Sequence, residues 1–180
     1  MAISLTTDRL VVRDWTPDDA EDALAVYGST DVARWLTPVM DQVTDAEAMR
    51  SVLQRWEREQ AGLLPPRGRW AVERAEDGKV IGGLGIRPLP PYDEDLEITW
   101  QLSPGAWGQG YATEAGLALL RWVFTQDIEE VFAVARPKND RAHAVAKRLG
   151  MRWVGETTKY YDLNLQVYRI RPADLPENRP

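Results

Sequence analysis

The stretch from Ser103 to Gly116 (SPGAWGQGYATEAG) carries the residues best suited to chemistry in this chain. Gly108 and Gly110 stand between a run with two-residue alternation and a run with helical periodicity. A glycine turn at the start of a helix leaves several backbone N–H groups exposed at the positive end of the helix dipole. Turns of this kind bind phosphate and pyrophosphate groups. The sequence therefore predicts a protein that holds a phosphate-bearing cofactor here and does its chemistry nearby.

The elements around this turn are predicted to be strand, glycine turn, helix, strand and helix. Leu96–Ser103 alternates apolar and polar residues, which is typical of a strand with one apolar face and one polar face. A helix is predicted from about Gly110 to Thr125, a buried strand over Glu129–Ala135 and a short helix over Asp140–Leu149. Because a helix lies in the crossover between the two strands, they should run parallel.

The rest of the chain is predicted to add strands and helices on either side. They are a strand over Arg9–Trp15, a helix from Thr16 to about Tyr27, a helix after the capping box Thr44–Glu47, a hairpin of Arg69–Arg74 and Lys79–Arg87, and last strands over Arg152–Tyr161 and Leu165–Arg171. No internal repeat or linker divides the sequence. We expect an α+β (mixed α/β) fold in a single domain over residues 1–180, with a loosely ordered tail at 172–180.

Composition excludes several classes of function. The chain has 180 residues, no cysteine and one histidine, so thiolate chemistry is excluded and no metal site is expected. A net charge of -6 argues against a nucleic-acid surface and favours a cationic partner such as an amine. No apolar run reaches the ~20 residues that span a membrane, so no membrane partner is expected. We recognise no secretion signal and expect a cytoplasmic protein.

Four segments resemble the GNAT acetyltransferase superfamily, in particular its RimJ/RimL-like branch. They are DRLVVRDW at 8–15, EITWQL at 97–102, WGQGYATEA at 107–115 and NDRAHAVAKRLGM at 139–151. Their order and spacing match the family from Asp8 to Arg171. The resemblance implies a GNAT-type fold, with a central, mostly antiparallel sheet, one splayed pair of parallel strands, and flanking helices. It also implies acetyl-CoA as the cofactor, with the pantetheine arm between Leu96–Ser103 and Glu129–Ala135.

The resemblance also assigns the residues that bind the cofactor. The family's pyrophosphate loop reads Gln/Arg-x-x-Gly-x-Gly/Ala, which Gly110 and Ala112 match, whereas Trp107 stands where Gln or Arg is usual. This departure costs little, because backbone N–H groups provide most of the binding. The backbone near Leu102 should pair with the pantetheine or thioester, and Asn139 should contact the pantetheine. The predicted cofactor-binding residues are Leu102, Ser103, Gly108, Gln109, Gly110, Tyr111, Ala112, Thr113 and Asn139.

The implied reaction is acetyl transfer to a primary amine by direct attack, which requires a base that takes a proton from the amine. Glu97 is the predicted catalytic base, because strand alternation places it on the polar face with Thr99 and Gln101. A structural salt bridge is the alternative interpretation of Glu97. If it is not the base, Asp95 or a water chain takes that role.

The proton donor for the leaving thiolate is less well defined by the sequence. Ala142 and Ala146 occupy the positions where the family has a Ser or a Tyr. The CoA would then leave as a solvated thiolate, or a tyrosine such as Tyr160 or Tyr161 would protonate it. The two alanines also leave open an alternative function, a non-catalytic acyl-CoA-binding or sensor module on the same fold.

The acceptor is either an amine-bearing small molecule or a peptide N-terminus. The early helices carry Trp35 and Trp56, which are candidates to line its pocket. His143 is predicted to have a solvent-facing or capping role, with catalysis as the alternative. A homodimer is left open, because many relatives pair.

Overall fold

Eight strands form one open sheet in the computed structural model, which describes residues 2–177. The strands are β1 (Ser4–Thr6), β2 (Leu10–Asp14), β3 (Gly68–Arg74), β4 (Val80–Pro88), β5 (Leu96–Leu102), β6 (Val131–Ala135), β7 (Arg152–Thr157) and β8 (Leu165–Ile170). Their order in the sheet is β1-β2-β3-β4-β5-β6-β8-β7. Neighbouring strands are antiparallel, except that β5 and β6 are parallel. The predicted mixed fold, with one parallel pair in a mostly antiparallel sheet, is confirmed.

Within residues 2–177, five α-helices pack on the two faces of this sheet. They are α1 (Ala20–Tyr27), α2 (Thr30–Leu36), α3 (Ala46–Gln60), α4 (Tyr111–Val123) and α5 (Asp140–Arg148). Strand alternation separates two cores: Val72 of β3 packs in the cluster that contains α4, and its neighbour Ala71 packs in the cluster that contains α1 and α3. None of these helices has the length and apolar character needed to cross a membrane.

Most predicted elements form, and the boundaries that differ have local causes. The helix predicted from a capping box at Thr44 has Asp45 as its N-cap, because the Asp45 carboxylate accepts the Ala48 N–H at 2.8 Å. The strand predicted to reach Tyr161 ends at Thr157, and Tyr161 lies in a turn with φ 55. Two short elements, β1 and α2, have no counterpart in the sequence prediction, because 3 and 7 residues give little periodicity.

The tail after residue 172 is partly held against the domain. Pro172–Asp174 form a short 3-10 turn, and Asp174 pairs with Arg152 at 3.0 Å. Leu175 packs against the larger core cluster. The loose order of the tail from residue 172 stays a prediction, and residues 178–180 of that tail lie outside the described residues.

Glycines of β4 allow α1 and β5 to approach the middle of the sheet closely. A Cβ at Gly83 would lie 2.4 Å from the Tyr27 hydroxyl, and a Cβ at Gly82 would lie 2.2 Å from the Gln101 carbonyl oxygen. The close approach lets the Tyr27 hydroxyl donate to Gln101 Oε1 at 3.2 Å. An aromatic side chain of α1 is thereby fixed beside the polar row of β5.

Candidate active site

A cleft opens where the two parallel strands separate. Within the described residues, β5 and β6 share register at one pair only, Glu97 and Phe132. Beyond this pair, the edge of β5 that faces β6 is available to bind a ligand as an added strand would. The cleft has a volume of about 370 Å³. The cleft reaches the glycine turn after β5. The stretch from Glu97 to Leu102, the end of β5, spans about 17 Å at the usual rise per residue of a strand.

The glycine turn has a backbone that only glycine adopts easily. Gly110 is the N-cap of α4 with φ 80, and Gly108 has φ 75, so both lie in the left-handed region. A Cβ at Gly108 would meet no atom of residues 2–177 within 4 Å, so the turn is open on that side in the described structure. An open backbone at the start of a 13-residue helix offers N–H groups and a positive dipole to an anion.

The first turn of α4 is arranged to favour an anion. Thr113 lines the cleft, and its buried Oγ1 has no hydrogen-bond partner among residues 2–177. A buried hydroxyl without a partner fits a ligand oxygen. The carboxylate of Glu114 is directed away, because it accepts hydrogen bonds from Thr7 Oγ1 at 2.6 Å and from Arg9 Nε at 2.7 Å.

Trp107 ties the glycine turn to the end of β5. Its Nε1 donates to the Leu102 carbonyl at 3.0 Å, and the guanidinium carbon of Arg141 lies 3.7 Å from its ring centroid. Arg141 and Arg148 of α5 both line the cleft. Positive charge therefore reaches the turn from α5, although position 107 holds no cation. Sequence reasoning missed both arginines, whose spacing of seven places them on one helix face.

The structure brings most of the predicted cofactor-binding residues to the cleft. Those that line it are Leu102, Gly108, Gly110, Tyr111, Ala112, Thr113 and Asn139. Two do not: Ser103 bonds to the Ile81 carbonyl through both N–H and Oγ, and the Gln109 amide reaches the Gly105 carbonyl at 3.5 Å. Asn139 is also the N-cap of α5, where its side chain accepts the Ala142 N–H at 3.4 Å.

Glu97 is buried at the narrow end of the cleft. It is cross-strand partner to Arg87, whose Nε lies 2.7 Å from Glu97 Oε1. The Tyr161 hydroxyl donates to the same oxygen. No donor among residues 2–177 bonds to Oε2, and Glu97 lines the cleft. One oxygen of the carboxylate is thus fixed, and the other is available to accept a proton.

The polar row of β5 is not the solvent-facing surface that alternation alone suggests. Glu97 is only 2% exposed, and Thr99 and Gln101 are half-buried. The row is covered because the turn that carries Tyr161 folds over one end of it and α1 over the other. Its side chains form the wall of a cleft.

Burial sets the protonation of this cluster. It raises the pKa of Glu97 above the ordinary value of 4.5, and the charge of Arg87 lowers that pKa without cancelling the effect. Burial and the negative charge of Glu97 also raise the pKa of Tyr161, so that its hydroxyl keeps its proton at neutral pH. The salt bridge that is the alternative interpretation of Glu97 is present, and Oε2 has no donor among residues 2–177.

A second chamber of about 230 Å³ adjoins the cleft. The two spaces share Arg87, Thr99 and Gln101 in their walls. The second chamber is also lined by Tyr27 and Trp56, whose rings are 5.4 Å apart in an edge-to-face contact. A molecule placed beside Glu97 can therefore extend from the cleft into an aromatic-walled pocket.

Three other titratable candidates have partners elsewhere in the described structure. The ring of His143 places Nδ1 2.9 Å from the Tyr168 hydroxyl and Nε2 3.0 Å from the Arg136 carbonyl, so both nitrogens are bonded. Tyr160 donates to Asp95 at 2.7 Å. Neither His143, Tyr160 nor Asp95 is among the residues 2–177 that line the cleft.

Comparison with known proteins agrees with this geometry. The chain is similar to an uncharacterized N-acetyltransferase of Bacillus subtilis, YoaA, with 26% identity over 92% of this chain and 95% of the relative. An acetyltransferase structure from Agrobacterium tumefaciens strain C58 superposes with a TM-score of 0.74 and 26% identity over 94% of both chains. Mycobacterium smegmatis RimJ, in complex with CoA-disulfide, superposes with a TM-score of 0.76 and 20% identity over 98% of this chain and 89% of RimJ.

The family model for the acetyltransferase (GNAT) domain matches residues 9–152. That range contains the splayed strands, the glycine turn and Glu97. The chain belongs to the GNAT acetyltransferase family.

Proposed function

We propose that the protein transfers the acetyl group of acetyl-CoA to a primary amine by direct attack, with Glu97 as the base. The observation that carries this proposal is the placement of Glu97. Its carboxylate lies where β5 and β6 begin to separate, at the opposite end of the cleft from the glycine turn. A donor held by its phosphates at the turn and extended along β5 would bring its far end to this carboxylate.

Acetyl-CoA is the cofactor of this family, and the residues present fit it. The N–H groups from Gly108 to Thr113, with the unpartnered Thr113 hydroxyl, would hold the pyrophosphate. Arg141 and Arg148 would add positive charge, and Asn139 with the edge of β5 would hold the pantetheine arm. Bound acetyl-CoA supplies an acetyl group activated as a thioester.

Glu97 is suited to remove the proton from the amine. Arg87 and Tyr161 hold Oε1, so Oε2 is the oxygen that accepts the proton, directly or through one water. Its raised pKa brings the carboxylate closer to the operating pH, which strengthens it as a base. The chain places no hydroxyl at Ala142 or Ala146, so the departing thiolate takes its proton from water or from Tyr161, which lines the cleft and keeps its proton at neutral pH.

We also propose that the protein belongs to the RimJ/RimL-like branch of the family. The segment at 107–115 supports this, as does the superposition with Mycobacterium smegmatis RimJ over nearly the whole chain. The acceptor is a small-molecule amine or a peptide N-terminus. The aromatic walls of the second chamber would receive the part of the acceptor next to its amine.

The test is a panel of free amines and N-terminal peptides incubated with acetyl-CoA. CoA release and the mass of the product are measured together, and Glu97→Gln serves as the inactive control. Acetylation of an amine by the unchanged protein, lost in the control, supports the proposal. Tight acetyl-CoA binding without turnover on any acceptor would instead assign a non-catalytic acyl-CoA-binding module.

A further inference from the structure

The second chamber carries positive charge, although the chain as a whole is negative. Its charged lining residues are Arg67, Arg69 and Arg87, and no Asp or Glu of residues 2–177 lines it. The chain has a net charge of -6, which by itself favours a cationic partner. The local charge of this chamber is of the opposite sign, and a ligand in the chamber meets the local charge first.

Two of the three guanidinium groups are already paired. Arg87 bonds to Glu97, and Arg69 Nη1 lies 2.6 Å from Glu59 Oε2. Arg67 makes no ion pair within 4.0 Å among residues 2–177, and its side chain is exposed. The three arginines of the chamber therefore have two carboxylate partners, Glu59 and Glu97, and Arg67 contributes the one net positive charge.

Glu97 in the cleft and Arg67 in the second chamber would contact opposite ends of a bound acceptor. The wall shared with the cleft includes Arg87, which bonds to Glu97 on the cleft side, where the amine must lie to lose its proton. Trp56 forms an apolar wall farther along, with the guanidinium of Arg69 5.3 Å from its ring centroid. Arg67 lines the same chamber. An acceptor with an amine near Glu97 thus extends along an aromatic wall toward an unpaired cation.

We propose that the preferred acceptor is an amine that also carries an anionic group, a carboxylate or a phosphate, and that Arg67 selects it. This rests on the proposed acetyl transfer, and it names the class of acceptor. A guanidinium matches both anions with two parallel hydrogen bonds. The volume of about 230 Å³ is below the ~300–1,000 Å³ of most small-molecule pockets. The acceptor is therefore a small molecule or one terminal residue of a peptide.

The experiment compares acceptors that differ only in the anion. Amino carboxylates of increasing chain length are matched with alkylamines of the same length, and phosphoethanolamine with ethanolamine. We expect kcat/KM to be at least ~10-fold higher for the anionic member of the best pair, and this preference to fall as salt is raised. The carboxylate and phosphate arms show which anion is preferred.

Arg67→Gln should reduce the preference at least ~5-fold through a higher KM for the anionic member, with the neutral member unchanged. Arg58→Gln is the matched control, because Arg58 is an exposed arginine of α3 that does not line the chamber. Equal kcat/KM for both members of every pair would overturn the inference. So would an undiminished preference in Arg67→Gln.

Failure of the proposed function is distinguishable from failure of this inference. If no amine is acetylated, acetyl transfer to amines is wrong. The chamber is then tested by titrating the same amine pairs into the CoA-bound protein. Tighter binding of the anionic members that Arg67→Gln weakens would support an anion site, and equal binding of both members would refute it.

Discussion

Replacement of Glu97 by glutamine is the sharpest test of the mechanism. The amide keeps the size of the side chain and an oxygen that can accept the bonds from Arg87 and Tyr161, but it cannot take a proton. A general base contributes about 10²–10⁴-fold, or about 2.7–5.5 kcal/mol of activation free energy. We expect Glu97→Gln to lower kcat at least ~100-fold and to leave acetyl-CoA affinity unchanged, because no phosphate-binding group is altered.

The same substitution should also cost stability, by an amount that the partial exposure of Arg87 limits. Removing the carboxylate leaves the Arg87 guanidinium without its ion-pair partner, but that side chain is 34% exposed and can be hydrated. We expect a loss of about 1–3 kcal/mol in the free energy of unfolding, measured by urea denaturation. This is small enough for the folded variant to be assayed.

The pH dependence distinguishes a base from a residue that attracts the acceptor. The carboxylate acts only when ionised, and its pKa lies above 4.5, so kcat/KM of the unchanged protein should fall as pH is lowered through that raised pKa. Arg87→Gln removes the charge that lowers this pKa, so the acidic limb should move to higher pH. In Glu97→Gln, the deficit should shrink as pH rises, because more of the acceptor amine is already neutral.

Asp95→Asn is the matched control. It makes the same carboxylate-to-amide change, but Asp95 bonds to Tyr160 and Lys159 and does not line the cleft. Its kcat should stay near that of the unchanged protein. Near-normal turnover by Glu97→Gln at saturating acceptor and neutral pH would refute the assignment. A large loss in Asp95→Asn with none in Glu97→Gln would move the base to Asp95.

Four further substitutions test the cofactor site, each read by titration calorimetry with CoA. Gly110→Val places a branched side chain at φ 80 and should weaken CoA binding at least ~10-fold, or ~1.4 kcal/mol. Unchanged affinity in a folded variant would exclude the glycine turn as the phosphate-binding site. Thr113→Val should weaken binding ~3–10-fold at unaltered melting temperature, and a silent result would mean that Oγ1 contacts no phosphate. Asn139→Ala should lose ~0.5–2 kcal/mol of stability and also bind CoA more weakly. A loss of stability with unchanged CoA affinity would mean that Asn139 only caps its helix. Arg141→Gln should weaken binding more at low salt than at high salt, as expected for a cation near phosphates.

The strand and the turn that hold the cofactor were predictable because their signals are local. The alternation of Leu96–Ser103 and the glycines at 108 and 110 depend on neighbours within a few residues. The crossover rule then gives the parallel pairing with β6, which the structure confirms. The cap that Asn139 forms is equally local, since an N-cap bonds only to its own helix.

The surroundings of Glu97 could not be predicted, because they depend on distant segments. Alternation states which face a side chain points to, but not what covers that face. Arg87 reaches Glu97 through the register of β4 with β5, and Tyr161 arrives from a turn 64 residues later in the chain. A single sequence contains no signal for either register or loop placement. From the sequence, a salt-bridge role and a catalytic-base role for Glu97 were therefore alternatives. The structure shows the salt bridge to Oε1, and no donor among residues 2–177 bonds to Oε2.

Arg87 resolves an electrostatic conflict in this site. A carboxylate buried as deeply as Glu97 would be driven to its neutral form by desolvation, and a neutral acid cannot act as a base. The positive charge of Arg87 opposes that effect, while burial keeps the pKa above its ordinary value. The same guanidinium lines both the cleft and the second chamber. Because the charge of Arg87 is already paired with Glu97, selection of an anionic acceptor requires a second cation. Among residues 2–177, Arg67 is the arginine of the second chamber that makes no ion pair.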